Sequence, residues 1–178
     1  SDVLIGGAGD DTLSGGAGID IFRWEAADAG SPGAPARDTV LDFDPAAILA
    51  GGDILDLRGL LQGEHAGNLT AYLHFEKVGD DTVVHISRTG GFVGGYDPSR
   101  EDQTILLKGV DLVTGHDSDQ AIILDLSSHG KLVTDTSSST VTGHLPGDFG
   151  ADGGFVQSIG LGGNTYTYDP HANTVTQT

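Results

Sequence analysis

The chain has 178 residues, with 29 glycines, no cysteine, no methionine, and 26 acidic against 8 basic side chains for a formal charge of −18. That charge opposes compaction unless counter-cations are bound. The shortage of Lys and Arg argues against nucleic acid as a partner, and the lack of cysteine excludes disulfides and thiolate metal sites. No apolar run approaches the roughly 18 residues that would span a membrane. High charge is also a signature of disorder, but short β-branched runs such as Thr82-Val83-Val84-His85-Ile86 predict strands.

Self-similarity begins at once. Gly6-Gly7-Ala8-Gly9-Asp10-Asp11-Thr12-Leu13-Ser14 is followed by Gly15-Gly16-Ala17-Gly18-Ile19-Asp20-Ile21-Phe22-Arg23, and Asp2-Val3-Leu4-Ile5 is the tail of a preceding unit. Asp2, Asp11 and Asp20 therefore recur every nine residues, as do Leu4, Leu13 and Phe22. This is the pattern of a calcium-binding parallel β-roll. Glycines allow turns that aim carbonyls at an ion, the Asp supplies a charged oxygen, and the apolar residue two places on fills a thin core. Nine residues make half a coil, so loops on one edge lie 18 apart; adding 18 to Asp2 gives Asp20 and then Asp38. These three aspartates are expected to face one calcium row. Gly33 would open a degenerate last loop that closes a site with Gly16, Gly18 and Asp20, while Asp11 is less well served, with Ala29 in the corresponding place.

These repeats resemble those of RTX proteins, which bacterial type I secretion systems export. The resemblance implies calcium held by loop carbonyls and Asp side chains: Gly7, Gly9 and Asp11 with Gly6 and Ala8, and likewise Gly15, Ala17 and Asp20 with Gly16 and Gly18.

After the repeats, strands are predicted at Asp20–Trp24, Asp38–Asp44, Gly52–Leu57, Gln103–Val110 and Ile122–Leu126, with Gly30–Pro35 a loop. Leu69–Val78 and Thr82–Arg88 flank Gly79-Asp80-Asp81 as a hairpin, and Gly90–Glu101 reads as an exposed loop. The run Asp38-Thr39-Val40-Leu41-Asp42-Phe43-Asp44-Pro45, together with Gly52-Asp53-Ile54-Leu55-Asp56-Leu57 and Asp102–Leu112, resembles the C-terminal target domain of type I-secreted adhesins. That resemblance implies Asp38, Asp42, Asp53 and Asp56 as further calcium ligands, the alternative for Asp42 and Asp56 being turn caps on an acidic surface. It also implies an uncleaved export signal at Ser118–Asp135.

Beyond Asp135 the alternating Thr165-Tyr166-Thr167-Tyr168 and the Gly162-Gly163-Asn164 turn predict a hairpin. This tail resembles part of an adhesin Ig-like repeat domain. Its position after an export signal departs from the family's pattern, whether through fusion, permutation or a different natural order. Asp148 and Asp152 there read as a polar turn more than as a calcium site.

The expected fold is all-β: a short parallel β-roll (residues 1–23) continuing into a β-sandwich-like target domain (24–136), with an extra β-hairpin tail (137–178). The seven histidines are scattered, and neither a zinc-protease His pair nor a hydrolase Ser elbow occurs. The chain is therefore expected not to be an enzyme. His74 and His85 read as structural histidines, and Trp24 as core beside the last repeat. The function expected is calcium-dependent folding and type I secretion of a monomeric, extracellular, surface-located adhesin. Its partners would be the secretion machinery during export and, through other domains, a host or surface ligand. The alternatives are a sugar- or peptide-binding module using Gly90–Glu101, or the non-catalytic end of a secreted protease or lipase.

Overall fold

The structure, a computed structural model, describes residues 1–135 and three strands beyond them, 158–161, 164–169 and 174–177. The chain divides into two compact units, Ser1–Ser139 and Thr140–Thr178. Strands dominate the described residues.

In the first unit the chain alternates between two sheets. Strands β1 (Val3–Ile5), β3 (Ile21–Glu25), β5 (Ile54–Gly59) and β9 (Leu132–Val133) form a wholly parallel sheet in that order. The facing sheet has the order β2 (Thr12–Leu13), β4 (Ala36–Val40), β8 (Gln103–Leu107), β7 (Asp81–Ile86) and β6 (Leu73–Val78). Its first three strands are parallel, as in a roll. The last three are antiparallel, with β6 and β7 making the expected hairpin. The expected boundary at residues 23 and 24 falls inside β3, and both sheets run from the repeats into the following segment without a break.

Alternating burial along the strands explains the core. Phe22 and Trp24 on β3, Val40 on β4, Leu55 and Leu57 on β5, and Ile105 and Leu107 on β8 are shut from solvent. Full burial of each such side chain contributes about 1.5–3 kcal/mol, an essential supply for a chain whose repeat strands are only two or three residues long.

Ile122–Leu126, expected as a strand, instead lies in the single α-helix of the described residues, α1 (Asp119–Ser128). The reason lies in its flanks. The Ser118 hydroxyl oxygen accepts from the Ala121 N–H at 3.3 Å as N-cap, and Gly130 beyond the other end takes φ 73°. Ile122, Ile123 and Leu126 share the buried face while Leu124 remains exposed, which is helical and not alternating spacing. Residues 69–71, expected in the hairpin, form a 3-10 turn instead.

The second unit contains a three-stranded antiparallel sheet, β10 (Ser158–Leu161), β11 (Asn164–Asp169) and β12 (Thr174–Gln177). The expected hairpin is β10 and β11, with Leu161 opposite Asn164. β12 extends it by a strand the sequence did not announce. Asp148 and Asp152 lie outside the described residues.

Candidate metal centre

The repeat loops set their aspartates by a rule the strand registers make visible. Each Asp precedes a short strand, its carbonyl accepts from the residue after the next Asp in its row, and its N–H donates to that Asp's carboxylate. Thus Asp2 N–H donates to Asp20 Oδ1 at 2.6 Å while the Ile21 N–H donates to the Asp2 carbonyl. Asp20 N–H in turn donates to Asp53 Oδ1 at 2.8 Å, and the Ile54 N–H to the Asp20 carbonyl. On the facing sheet Asp11 N–H donates to Asp38 Oδ1 at 2.8 Å, and the Thr39 N–H to the Asp11 carbonyl.

The rows are therefore Asp2–Asp20–Asp53 and Asp11–Asp38. The expected row Asp2–Asp20–Asp38 is not formed. Asp11 and Asp38 are 27 residues apart, nine more than the 18 separating Asp2 from Asp20. The extra nine residues, spent in the loop before β4, send that strand to the sheet of β2 instead of the sheet of β1 and β3. Asp53 takes the place foreseen for Asp38.

Gly33 is likewise displaced from its expected role. Its N–H donates to the Glu101 carbonyl and its backbone lies against Ser99, so it belongs to the turn ahead of β4 and not to the loop of Gly16 and Gly18.

The glycines of the repeats behave as their period requires. Gly7, Gly9, Gly16 and Gly18 have φ of 91°, 113°, 81° and 119°, a region L side chains rarely enter. Gly6 and Gly15 serve a different need. A Cβ on Gly15 would sit 2.7 Å from Asp20 Oδ2, and one on Gly6 would sit 2.8 Å from Asp11 Cβ. Each aspartate thus folds back over the first glycine of its own loop. Ala8 and Ala17, between the turn glycines, are exposed.

The carboxylates differ in what they have left to offer. Asp11 Oδ2 and Asp20 Oδ2 are buried and accept no hydrogen bond, an arrangement that costs about 1–3 kcal/mol per atom unless a cation or donor is supplied. Asp38 has no such oxygen: Oδ2 accepts from Trp24 Nε1 at 2.6 Å and from Gln103 Nε2 at 2.9 Å. Asp53 Oδ2 accepts from the Asp44 N–H at 2.8 Å. Burial pushes the carboxyls of both Asp38 and Asp53 above the ordinary range, against the hydrogen bonds that favour their charge. Both close their rows and anchor backbone.

Asp42 and Asp56, expected as ligands, have other work. Asp42 caps the turn of the repeat before it, accepting from the Ser14 hydroxyl at 2.6 Å and from the N–H groups of Gly15 and Gly16 at 2.9 Å each. The Ser14 hydroxyl is the main cause of its lowered pKa. Asp56 is buried between two guanidinium groups, Arg23 Nε at 2.9 Å and Arg58 Nη2 at 2.8 Å, and Arg58 above all holds its carboxyl below the usual range. A divalent ion there would have to displace two positive charges. One of its two partners, Arg23, comes from β3, 33 residues away, and no local pattern announces it.

Among the described residues no three His, Cys, Asp or Glu side chains gather in a way that could hold a metal ion. A cation at the loops must therefore take most of its oxygens from the backbone, as Ca²⁺ does and as positive-φ glycines permit. The donor set fits calcium: hard oxygens from backbone carbonyls and from two carboxylates, each with an unengaged buried atom. The residues that would hold it are Asp11 and Asp20 with the carbonyls of the Gly6–Gly9 and Gly15–Gly18 turns.

The histidines lie elsewhere and have partners of their own. His85 meets Glu101 Oε1 at 2.7 Å through Nδ1 and Glu76 Oε2 at 3.1 Å through Nε2, while His74 Nδ1 meets Asp119 Oδ2 at 2.8 Å. Tyr96 stacks on His74 at 4.7 Å, and burial first, then the Glu101 charge, pushes its hydroxyl up to about 12. Among the described residues no helix is long and apolar enough to cross a membrane.

The profile of the family described as "RTX calcium-binding nonapeptide repeat (4 copies)" matches residues 1–22. Two solved structures of subunits of the Azotobacter vinelandii mannuronan C5-epimerase are similar to this chain. The AlgE6R3 subunit is 26% identical, with 86% of this chain and 74% of that one covered at a TM-score of 0.46. The AlgE6R2 subunit is 24% identical, with 76% and 72% covered at 0.48. Comparison with curated proteins finds no match. The first 22 residues are thus RTX calcium-binding nonapeptide repeats, and calcium is their cofactor.

Proposed function

We propose that this chain is the calcium-dependent folding and type I secretion module of an extracellular bacterial RTX adhesin that takes part in surface attachment and biofilm formation. The observation that carries the reading is the pair of buried, unpartnered oxygens, Asp11 Oδ2 and Asp20 Oδ2, in the repeat segment of a chain with a charge of −18. Without a cation these carboxylates destabilise the roll. With calcium they become its fastening.

The export segment supports the same order of events. Ser118–Asp135 is built into the fold: Ile122, Ile123, Leu126 and Leu132 are buried, and β9 pairs with β5. A transporter can read that segment only while it is unfolded. Where free calcium is scarce the chain stays open and translocates; outside the cell, calcium binding folds it and hinders return. Extracellular calcium modules bind at about 10⁻⁴ to 10⁻³ M, and calcium at a hundred times a site's dissociation constant adds about 2.7 kcal/mol of stability. Within this reading the chain carries no catalysis of its own, and the 137–178 tail is a fragment of an adhesin repeat domain.

Circular dichroism with calcium and with chelator tests the proposal. A gain of strand signal on adding calcium supports it; identical spectra in both states reject it.

A further inference from the structure

A cleft of about 500 Å³ opens between the loop after β7, the 3-10 turn Leu69–Ala71 and the first turn of α1. Its apolar wall is the ring of Tyr96, with Phe92, 2% exposed, packed behind it. Tyr96 is held rigidly: it stacks on His74 at 4.7 Å, meets Phe92 edge-to-face at 5.3 Å, and donates its hydroxyl to Glu101 Oε2 at 3.1 Å. The rim carries the hydroxyls of Thr70 and Ser118 and the amide of Gln120. Among the described residues the Thr70 and Gln120 side chains make no hydrogen bond, and the Ser118 hydroxyl oxygen only accepts, from Ala121 N–H.

We propose that this cleft binds a neutral saccharide ring. Charge decides against the other classes. Among the described residues no Lys or Arg lines the cleft, and the chain's charge of −18 repels uronates, phosphates and other anions. A cation finds no spare carboxylate, because Asp119 Oδ2 meets His74 Nδ1 at 2.8 Å and Oδ1 accepts from Phe75 N–H at 2.9 Å. That second bond also occupies the Phe75 N–H of the edge strand β6, a backbone donor that an added peptide strand would otherwise use. What remains is a preformed aromatic wall facing a rim of unpaired hydroxyl and amide groups. It suits a ligand with one face of C–H groups and an edge of hydroxyls. This binding is independent of the folding and secretion role.

The test is an amide-resolved NMR titration of the full calcium-loaded chain with glucose, galactose, mannose and their neutral disaccharides, with galacturonate as the charged counterpart. Saturable shifts at Thr70, Gly94, Gly95 and Gln120 are expected for at least one neutral sugar, with a weaker response to galacturonate. Thr70→Ala and Gln120→Ala, each at the rim, are expected to weaken binding roughly three- to tenfold apiece. No shift at these amides with any neutral sugar overturns the proposal, as does equal binding of galacturonate or unchanged affinity in the folded double variant. The wild-type titration decides the matter even where a variant fails to fold.

Discussion

Asp53→Ala is the substitution with the sharpest structural consequence. The Asp53 side chain is 1% exposed, and its two oxygens accept from the N–H groups of Asp20 and Asp44, both at 2.8 Å. Alanine strands both donors. At about 1–3 kcal/mol for each stranded donor the raw loss is roughly 2–6 kcal/mol. Relief of the buried carboxylate, whose pKa is raised by that burial, offsets part of it, leaving about 2–4 kcal/mol out of the 5–15 kcal/mol typical of a whole domain. Trp24 is the sole tryptophan and is fully buried, so its fluorescence reports urea unfolding directly. Asp53→Asn keeps one acceptor and is expected to lose about half as much. Measured in saturating calcium, an Asp53→Ala loss within about 0.5 kcal/mol, the level of an ordinary surface change, refutes the placing of Asp53 at the end of the Asp2–Asp20 row.

Asp56→Ala separates ion pairing from metal binding. With Arg23 and Arg58 partly exposed, the loss is expected to be about 1–2 kcal/mol after solvent screening. Calcium affinity by calorimetry should be unchanged, and a tenfold loss would restore Asp56 as a ligand. Gly15→Ala forces the Asp20 carboxylate aside and should weaken calcium binding at least about tenfold, whereas Gly79→Ala, with φ 65° and open space around it, should cost roughly 1 kcal/mol of stability and leave affinity alone. In chelator, Asp38 gives a pH signature. Its folded pKa lies above the ordinary 3.8, so just above that pH the folded state holds more protons than the unfolded. Stability contributed there falls as pH rises through the window. Asp38→Asn should flatten that slope in pH-dependent urea titrations; an unchanged slope contradicts the assignment.

What the sequence disclosed follows from the range of each interaction. The positive-φ turns at Gly7, Gly9, Gly16 and Gly18, and the partnership of Asp2 with Asp20, are written into a nine-residue period and need no knowledge of the rest of the chain. The β6–β7 hairpin was similarly local. The row of Asp38 was misread because counting by 18 assumes unbroken coils, while the nine additional residues before β4 change which sheet receives that strand. α1 carried legible signals, in Ser118, Gly130 and the buried face of Ile122, Ile123 and Leu126, that its short apolar run obscured. The Arg23 side of the Asp56 ion pairs and the Trp24–Asp38–Gln103 contact join residues from distant strands, and nothing in their neighbourhoods along the chain foretells them, whereas Arg58 lies two residues from Asp56 on the same strand.

Anomalous diffraction from crystals grown in abundant Ca²⁺ bears most directly on the central claim. The account predicts ions at the Gly6–Gly9 and Gly15–Gly18 turns, with Asp11 Oδ2 and Asp20 Oδ2 at about 2.3–2.6 Å from them. Both oxygens facing only water, with calcium absent or bound instead at Asp42 or Asp56, would contradict it.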